Sequence, residues 1–114
     1  KTYRALVRLA ADVAPAALER LTQLVGEVAQ QTPVRVLRRR ADMTRRRRVQ
    51  SVRWLAIDPR TVELTVRTQA GTYIKELISG DGGRTRPSVA EVLAAPAECA
   101  ELDVLAIHLD TVDP

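Results

Sequence analysis

Residues 69–88 read Q-A-G-T-Y-I-K-E-L-I-S-G-D-G-G-R-T-R-P-S, and the rest of the chain is organised around this stretch. It follows an alternating run that ends at Thr68, and Gly71 supplies the backbone freedom for a sharp turn. Thr72 is then a candidate N-cap, and Gly80 is typical of a helix C-terminus. The apolar residues between them recur at helical spacing: Tyr73, Ile74, Leu77 and Ile78. The stretch therefore predicts a turn followed by a short helix.

Lys75 is the unusual residue of that predicted helix. A cation in the first turn of a helix opposes the macrodipole by about 0.3–1 kcal/mol. Two interpretations of this lysine stay open. It either faces a nearby anion, or it is a solvated surface residue.

The composition is that of one modest globular domain. The chain has 114 residues, of which 46% are hydrophobic, and no apolar run approaches the roughly 18 residues that a membrane span needs. Cys99 and His108 are the only cysteine and histidine, which excludes an internal disulfide and a structural zinc site. The sequence therefore offers no sign of a metal site. The chain begins without methionine and directly in a strand-like segment, so we expect a fragment of a longer protein.

Positive charge is concentrated in one segment of the chain. Residues 35–48 contain eight arginines and one acid, so this window carries +7 and the remainder −3, against a net charge of +4. Such density is self-repulsive without an anionic partner, and nucleic acid is the commonest partner of arginine-rich patches.

Hydrophobic periodicity predicts an α+β fold: a mixed, mainly antiparallel sheet with helices packed on it. Strands are expected at Lys1–Leu9, Val34–Arg38, Arg45–Ile57, Thr61–Thr68 and Leu102–Leu109. A long amphipathic helix is expected at Pro15–Gln31, and a short one after Ser88, which has capping-box form with Glu91. Asp58-Pro59-Arg60 is expected to turn the third strand into the fourth as a hairpin. At this length, residues 1–114 are one domain or part of one.

The glycine-rich tract D-G-G-R-T-R at 81–86 fits neither the P-loop nor the dinucleotide fingerprint. Two interpretations remain for it: an RNA-backbone contact through Arg84 and Arg86, or a flexible surface loop.

Four segments together resemble the archaeal tRNA pseudouridine synthases of the Pus-ten family, and more loosely the TruB-like pseudouridine synthases. They are K-T-Y-R-A-L at 1–6, Q-T-P-V-R-V-L-R-R-R-A-D at 31–42, the block at 68–88, and L-D-V at 102–104. The resemblance covers nearly the whole chain in order. It implies an enzyme that isomerises T-arm uridines of tRNA (positions 54 and 55) to pseudouridine without cofactor or metal.

The resemblance also implies roles for individual residues. Tyr3 matches the active-site tyrosine that stacks on the flipped uracil, and Lys75 matches the basic residue that pairs with the catalytic aspartate. Ile74 and Leu102 match the apolar residues that line the pocket. An enzyme that works on a base must unstack it and hold it against an aromatic face, which suits Tyr3. An aspartate beside a fixed cation stays ionised as a nucleophile, which suits Lys75.

The resemblance is incomplete in two respects. The family's catalytic aspartate precedes its K-T-Y element, and no aspartate of this sequence has a matching context. We therefore expect this chain to be the C-terminal part of a catalytic domain, inactive alone, without the family's cysteine-rich accessory domain. Arg38 also stands where the family has a histidine.

The arginine-rich segment gains a role from this resemblance. We expect tRNA phosphates to be bound by Arg38, Arg39, Arg40, Arg45, Arg46, Arg47 and Arg48, with Arg84 and Arg86 in support. A second interpretation is that some of these arginines pair with the missing half of the domain. The alternative function is a non-catalytic arginine-rich RNA-binding module, in which Tyr3 is a core residue and Lys75 a surface one. For either function we expect a cytoplasmic protein with no membrane partner.

Overall fold

A computed structural model of the chain describes residues 1–106, and they form one antiparallel sheet covered on one face by short helices. The strand order is β5-β2-β3-β4-β1-β6, and every described pairing is antiparallel. The strands are β1 Thr2–Leu9, β2 Gly26–Gln31, β3 Thr44–Asp58, β4 Thr61–Thr68, β5 Thr85–Arg86 and β6 Ala97–Ala106. The helices are α1 Ile74–Ser79, α2 Val89–Leu93 and the 3-10 helices Pro15–Leu24, Val34–Val36 and Asp81–Gly83. The predicted α+β class is confirmed.

Strand β1 lies inside the sheet, between β4 and β6. Its alternate residues Tyr3, Ala5, Val7 and Leu9 are buried, as the sequence pattern predicts. They belong to the same core cluster as Val62, Leu64 and Val66 of β4. Burial on one face and polar residues on the other fix the register, because a shift by one residue would turn every side chain over.

The hairpin of β3 and β4 is confirmed. Pro59 and Arg60 form the turn between the two strands, and the Asp58 side chain accepts a hydrogen bond of 2.8 Å from the backbone N–H of Arg60. The register shifts between Val49 and Ser51, so that Val49, Val52 and Trp54 all contact the core.

The predicted helix over Pro15–Gln31 is wrong in its second half. The chain forms a 3-10 helix that ends at Leu24 and then enters β2. Leu18, Leu21 and Leu24 are buried, whereas Val25 is exposed. Gly26 has φ +124°, a conformation that L side chains rarely adopt, and this glycine turns the chain into the strand.

The predicted strand over Val34–Arg38 is also wrong, because this segment is a 3-10 turn. The backbone N–H of Val34 donates to Asp81 Oδ2 at 3.0 Å, and that of Val36 donates to the carbonyl oxygen of Pro33. These bonds close a turn and leave no ladder to a neighbouring strand. Strand β2, which the sequence pattern does not predict, takes the place beside β3.

The two α-helices are close to their predicted positions. Tyr73, not Thr72, is the N-cap residue of α1, and the Thr72 hydroxyl donates instead to the carbonyl oxygen of Gln69. Gly80 ends α1 in the left-handed conformation, as predicted. The Ser88 hydroxyl caps α2 by accepting a hydrogen bond of 3.1 Å from the backbone N–H of Glu91.

The last strand begins earlier than predicted, since β6 starts at Ala97. It is an edge strand of the sheet formed by residues 1–106. The predicted end of this strand at Leu109, and His108 with it, lie outside the described residues.

Candidate functional site

The residues predicted to line a uracil pocket gather where β1, β6 and α1 meet. Tyr3 and Ile74 belong to the same buried cluster, and Leu102 packs against it as a half-buried residue. Ile74 is the first residue of α1, which lies against β6. Residues separated by about 70 positions of sequence thus share one corner of the sheet.

Tyr3 is positioned by both neighbours of β1. It lies opposite Val66 of β4 and Val104 of β6. Its exposed fraction is only 9%, whereas that of Val104 is 54%. The phenol is therefore packed into the core.

Lys75 lies on the exposed side of α1, between the buried residues Ile74 and Glu76. Its ammonium acts on the thiol of Cys99 in β6. Burial raises the pKa of Cys99 above the ordinary value, and the positive charge of Lys75 works in the opposite direction. Cys99 lies opposite Val7 on the strand that also carries Leu102. Lys75 belongs to α1, and this helix contacts β6, the strand that carries Cys99 and Leu102.

All five aspartates within residues 1–106 have partners, and none of these partners is Tyr3 or Lys75. Asp12 pairs with Arg60, Asp42 with Arg84 and Asp103 with Arg4, while Asp58 and Asp81 accept backbone hydrogen bonds from Arg60 and Val34. None of them is available as a nucleophile beside Lys75.

Arg84, predicted to contact RNA, forms several hydrogen bonds within the fold. Its guanidinium donates two hydrogen bonds, of 3.1 and 2.8 Å, to the carbonyl oxygen of Thr32 and one of 2.6 Å to Asp42. Its side chain is only 22% exposed. The guanidinium is thus engaged with Thr32 and Asp42 within the fold, and its contact with RNA stays a prediction. Arg86 pairs with Glu91 at 3.4 Å but remains 69% exposed.

The four arginines at the start of β3 point alternately to the two faces of the sheet. Arg45 donates to the hydroxyl of Thr32 at 3.2 Å, and Arg47 lies against Gly71, where an added Cβ would be 3.3 Å from its Nε. Arg46 is exposed and pairs with Glu27 at 3.0 Å. Arg48 is exposed and has no side-chain partner among the described residues. Arg45 and Arg47 are thus partly occupied within the fold.

Arg38, Arg39 and Arg40 form an exposed cationic group after the turn at Val34–Val36. Within residues 1–106 their guanidinium groups have no hydrogen-bonded or ionic partner. Together with Arg48 they are the arginines of the predicted set whose guanidinium groups form no hydrogen bond or ion pair within residues 1–106. Arg45 and Arg47 lack an ionic partner as well, but each donates one hydrogen bond, to the Thr32 hydroxyl and the Arg46 carbonyl oxygen.

Arg35 joins this cationic group to α1. Its Nε and Nη2 atoms bind the two carboxylate oxygens of Glu76 at 2.9 and 3.2 Å. The Glu76 side chain is only 8% exposed, and this hydrogen-bonded carboxylate raises the pKa of the Arg35 guanidinium. The same guanidinium lies 5.9 Å from the centroid of the Tyr73 ring. Arg35, Val36, Arg39, Arg40 and Tyr73 line a cleft of about 500 Å³ beside α1.

Comparison with known proteins gives this arrangement a context. A family model described as Pus10, C-terminal, matches residues 1–108. The chain belongs to this family. The resemblance to Pus-ten enzymes inferred from the sequence is confirmed.

Curated relatives of this Pus10 C-terminal chain include tRNA pseudouridine synthases named Pus10 from two archaea. The one from Methanothrix thermoacetophila is 50% identical over 106 residues, which cover 92% of this chain and 24% of the relative. The one from Korarchaeum cryptofilum is 50% identical over 111 residues, which cover 96% of this chain and 30% of the relative. The chain thus spans about a quarter of the length of the relatives it matches.

Solved structures with the same fold include a chain of a Cbf5-Nop10-Gar1 complex. It superposes with a TM-score of 0.70 at 31% identity, covering 90% of this chain and 28% of that one. A chain from an H/ACA RNP bound to a substrate RNA containing 2'-deoxyuridine has a TM-score of 0.65 at 29% identity, covering 90% of this chain and 26% of that one.

Three residues of this Pus10 C-terminal chain were not predicted to matter at the site: Gln30, Arg35 and Glu76. Glu76 offers one sequence signal, since it is an acid that directly follows Lys75 within the apolar run of α1. Arg35 and Gln30 lie 41 and 43 positions from their partners, so their roles depend on tertiary contacts. No group of three or more histidine, cysteine or acidic side chains that could hold a metal ion occurs within residues 1–106, and no helix there is long and apolar enough to span a membrane.

Proposed function

We propose that residues 1–114 are the C-terminal part of the catalytic domain of a tRNA pseudouridine synthase that isomerises T-arm uridines (positions 54 and 55). The observation that carries the proposal is the meeting of Tyr3, Ile74 and Leu102 in one corner of the sheet, with the charge of Lys75 beside it. The cytoplasm, where tRNA is available, is the proposed location.

In this proposal the chain supplies one wall of the active site. The target uridine is flipped out of the RNA, and its uracil is held against Tyr3, Ile74 and Leu102. Since Tyr3 is 9% exposed, neighbouring side chains must shift to uncover the ring before a base can stack on it. Conversion to pseudouridine breaks the bond between N1 and the ribose and forms one between C5 and the ribose. C5 loses its proton and N1 gains one, so the product is an isomer of the substrate.

Lys75 provides the counter-ion for the nucleophile. A carboxylate next to a fixed cation stays ionised at neutral pH and is available to attack. The five described aspartates are engaged elsewhere, so we assign the nucleophile to another segment of the whole enzyme that docks against α1 and β6. The amine of Lys75, on the exposed side of its helix, is accessible to such a segment.

The exposed arginines hold the tRNA. Arg38, Arg39, Arg40 and Arg48 are the proposed phosphate ligands, because their charges are unoccupied among residues 1–106. Phosphate contacts position a nucleic acid without reading its sequence. The arginines therefore provide affinity and orientation, while the pocket at Tyr3 provides the chemistry.

The test uses the whole enzyme and unmodified tRNA, with pseudouridine formation and tRNA affinity measured separately. Lys75→Ala and Tyr3→Phe are expected to abolish or strongly reduce turnover and to leave affinity nearly unchanged. Arg20→Ala, on the exposed face of the first 3-10 helix, is the control and should behave as the wild type. Normal turnover in both site variants would contradict the assignment of these two residues.

The alternative is a non-catalytic arginine-rich RNA-binding module, and the burial of Tyr3 favours it. A tyrosine that is 9% exposed is also what a core residue looks like. In that case the whole protein binds tRNA, loses affinity when Arg39 or Arg48 is removed, and forms no pseudouridine under any condition.

A further inference from the structure

We propose that Arg84 and Asp42 are positioning residues that hold the arginine loop, defined as residues 37–43, in the conformation that binds RNA. The glycine-rich tract at 81–86, which carries Arg84, thereby has a function of its own. The inference rests on the proposed role of the loop arginines as phosphate ligands and deepens it. Neither positioning residue needs to touch the RNA.

The segment that contains the arginine loop is closed at its base by Thr32, the residue after β2. Thr32 is 0% exposed. Its backbone N–H donates to the Met43 carbonyl oxygen at 2.9 Å, and its hydroxyl oxygen accepts from the Met43 N–H at 3.1 Å. The same hydroxyl donates to the carbonyl oxygen of Ala41 at 2.6 Å. The two ends of the segment are thus held together, and the loop arginines lie between them.

Arg84 binds both sides of this closure. Its Nε and Nη2 atoms donate to the Thr32 carbonyl oxygen at 3.1 and 2.8 Å, and Nη2 also donates to Asp42 Oδ1 at 2.6 Å. Asp42 lies two residues after Arg40 and is the only acid among residues 35–48. One guanidinium therefore links the start of the segment to the last part of the arginine loop.

The tract that carries Arg84 makes two further bonds to the same segment. Asp81 Oδ2 accepts from the backbone N–H of Val34 at 3.0 Å and lies 3.9 Å from Arg84 Nε. The Arg84 carbonyl oxygen accepts from the Gln31 N–H at 2.8 Å. The side chains of Asp81 and Arg84 are only 20% and 22% exposed. The tract is thus attached to the chain on both sides of the loop arginines.

A loop that carries three neighbouring cations needs such support. Arg38, Arg39 and Arg40 are exposed and have no hydrogen-bonded or ionic partner among the described residues, so their mutual repulsion favours extended and variable conformations. A loop that is variable in the free protein must be ordered when RNA binds, and this lowers the affinity. We therefore expect the link between Arg84 and Asp42 to strengthen tRNA binding without adding a phosphate contact.

The test uses three variants of the whole enzyme: Asp42→Ala, Arg84→Gln and the double variant. tRNA affinity is measured over a salt series, and kcat and KM are measured for pseudouridine formation. Each variant should bind tRNA about five- to thirtyfold more weakly at every salt concentration, the equivalent of ordering one further residue on binding. The slope of log affinity against log salt should stay unchanged, because no phosphate contact is lost. KM should rise, and kcat at saturating tRNA should not change.

Charge alone predicts a different pattern for these variants. Asp42→Ala removes an anion two residues from Arg40 and would strengthen binding, whereas Arg84→Gln removes a cation and would weaken it. The double variant keeps the net charge and would bind like the wild type. Loss of positioning weakens all three, and the double variant should be no weaker than Arg84→Gln, because both residues belong to one link. A double variant with wild-type affinity, or tighter binding by Asp42→Ala, would overturn the inference.

Asp12 and Arg60 form the matched control pair. They are linked at 2.7 Å at the turn that follows β3, whereas the arginine loop precedes this strand. The variant Asp12→Ala/Arg60→Gln should bind tRNA like the wild type. Asp42 is 58% exposed, so Asp42→Ala should fold even if Arg84→Gln does not. Thermal unfolding of all variants, with assays kept well below each midpoint, separates loss of folding from loss of positioning.

The effect should also depend on the loop arginines. When Arg38, Arg39 and Arg40 are all replaced by glutamine, tRNA affinity should fall, and adding the Asp42→Ala/Arg84→Gln pair should then change it by less than about twofold. An undiminished further loss in that background would overturn the inference, because the link would act on something other than the loop cations. Unchanged affinity in the triple glutamine variant would overturn the phosphate role of the loop and the inference with it.

Two more outcomes separate the inference from the proposed function. A reduced salt slope in Arg84→Gln would overturn the positioning role, since Arg84 itself would then contact a phosphate. A wild-type enzyme that binds tRNA but forms no pseudouridine would overturn the proposed catalytic function. The affinity comparison of the variants would still decide the role of Arg84 and Asp42 in that case, because it does not depend on turnover.

Discussion

The side chain of Gln30 hydrogen-bonds both backbone groups of Tyr73. Its Nε2 donates to the Tyr73 carbonyl oxygen at 2.9 Å, and its Oε1 accepts from the Tyr73 N–H at 3.0 Å. Gln30 is 1% exposed and occupies a core-facing position of β2. A polar residue at this position fixes the start of α1, and with it the direction in which Lys75 leaves the helix.

Replacing Gln30 with leucine should destabilise the protein by about 1–3 kcal/mol, because the buried N–H of Tyr73 loses its acceptor. The Tyr73 carbonyl oxygen still accepts a hydrogen bond of 3.0 Å from the backbone N–H of Leu77. The destabilisation therefore comes mainly from the unpaired N–H of Tyr73. Urea unfolding measures the change. Gln23→Leu, at an exposed position, is the control and should stay within about 0.5 kcal/mol of the wild type. Equal stabilities for the two variants would contradict the anchoring role.

Gly80→Ala should destabilise the fold more than Gly82→Ala. Both glycines have positive φ, +82° and +65°, so alanine is strained at either position. A Cβ on Gly80 would lie 2.8 Å from the Ser88 hydroxyl that caps α2, whereas a Cβ on Gly82 meets nothing within 4 Å. We expect Gly80→Ala to cost at least about 1 kcal/mol more, the lower end of overpacking penalties. A difference near zero in paired unfolding curves would show that Ser88 moves aside freely.

Cys99 should react slowly with iodoacetamide at pH 8, and Lys75→Gln should slow it further. Burial raises the pKa of the thiol and Lys75 partly offsets this, so removing the ammonium lowers the thiolate fraction. The additional slowing should be less than about tenfold, the effect of one full pKa unit. Arg20→Gln serves as the control for general charge effects. A reaction rate unchanged by Lys75→Gln would mean that the lysine does not face β6.

The same thiol predicts a loss of stability in alkaline solution. A group whose pKa is raised in the folded state stabilises the fold below its ordinary pKa, here 9.0, and this contribution disappears as the pH rises through the raised value. Cys99→Ala should therefore lose less stability than the wild type between neutral pH and a pH above 9.0. Parallel curves of stability against pH would contradict this.

The salt dependence of tRNA binding should distinguish arginines that touch phosphates from those that support the fold. Arg39→Gln should reduce the slope of log affinity against log salt by about 0.7–0.9, one phosphate contact. Arg84→Gln should leave the slope unchanged, because its guanidinium is committed to Thr32 and Asp42. Filter binding over a salt series of the whole enzyme measures both. If Arg84→Gln reduced the slope as much as Arg39→Gln, Arg84 would also contact a phosphate of the RNA.

Elements whose signals are local were predicted well. Strand β1 and the β3–β4 hairpin alternate cleanly, Gly80 ends α1, and Ser88 caps α2. Each depends on residues a few positions apart. The site residues Tyr3, Ile74 and Leu102 came from a family resemblance, and the structure brings them to one corner, although their roles remain predictions.

The failures involve contacts distant in sequence. Strand β2 was not predicted because only one of its two core-facing residues, Val28, is apolar. The other, Gln30, is polar, and its burial is explained by the hydrogen bond that it donates to the Tyr73 carbonyl oxygen. The helical spacing of the leucines in the first 3-10 helix continues to Val28. Gly26 is therefore the one sequence signal for the change from helix to strand. The bond between Arg84 and Asp42 was not predicted, because the two residues lie 42 positions apart. Composition cannot distinguish a committed arginine from a free one.

The position of β1 between β4 and β6 has a consequence for how the chain folds. Arg4 of this strand hydrogen-bonds Glu63 and Asp103, which are 59 and 99 positions later. The β3–β4 hairpin closes across two residues and can form early, but the first strand acquires its second neighbour only when the final strand docks. Such long-range closure places the domain among the slower folders, in the millisecond-to-second class. A chain interrupted before Ala97 would leave β1 as an open edge, and such a truncated product should aggregate during refolding.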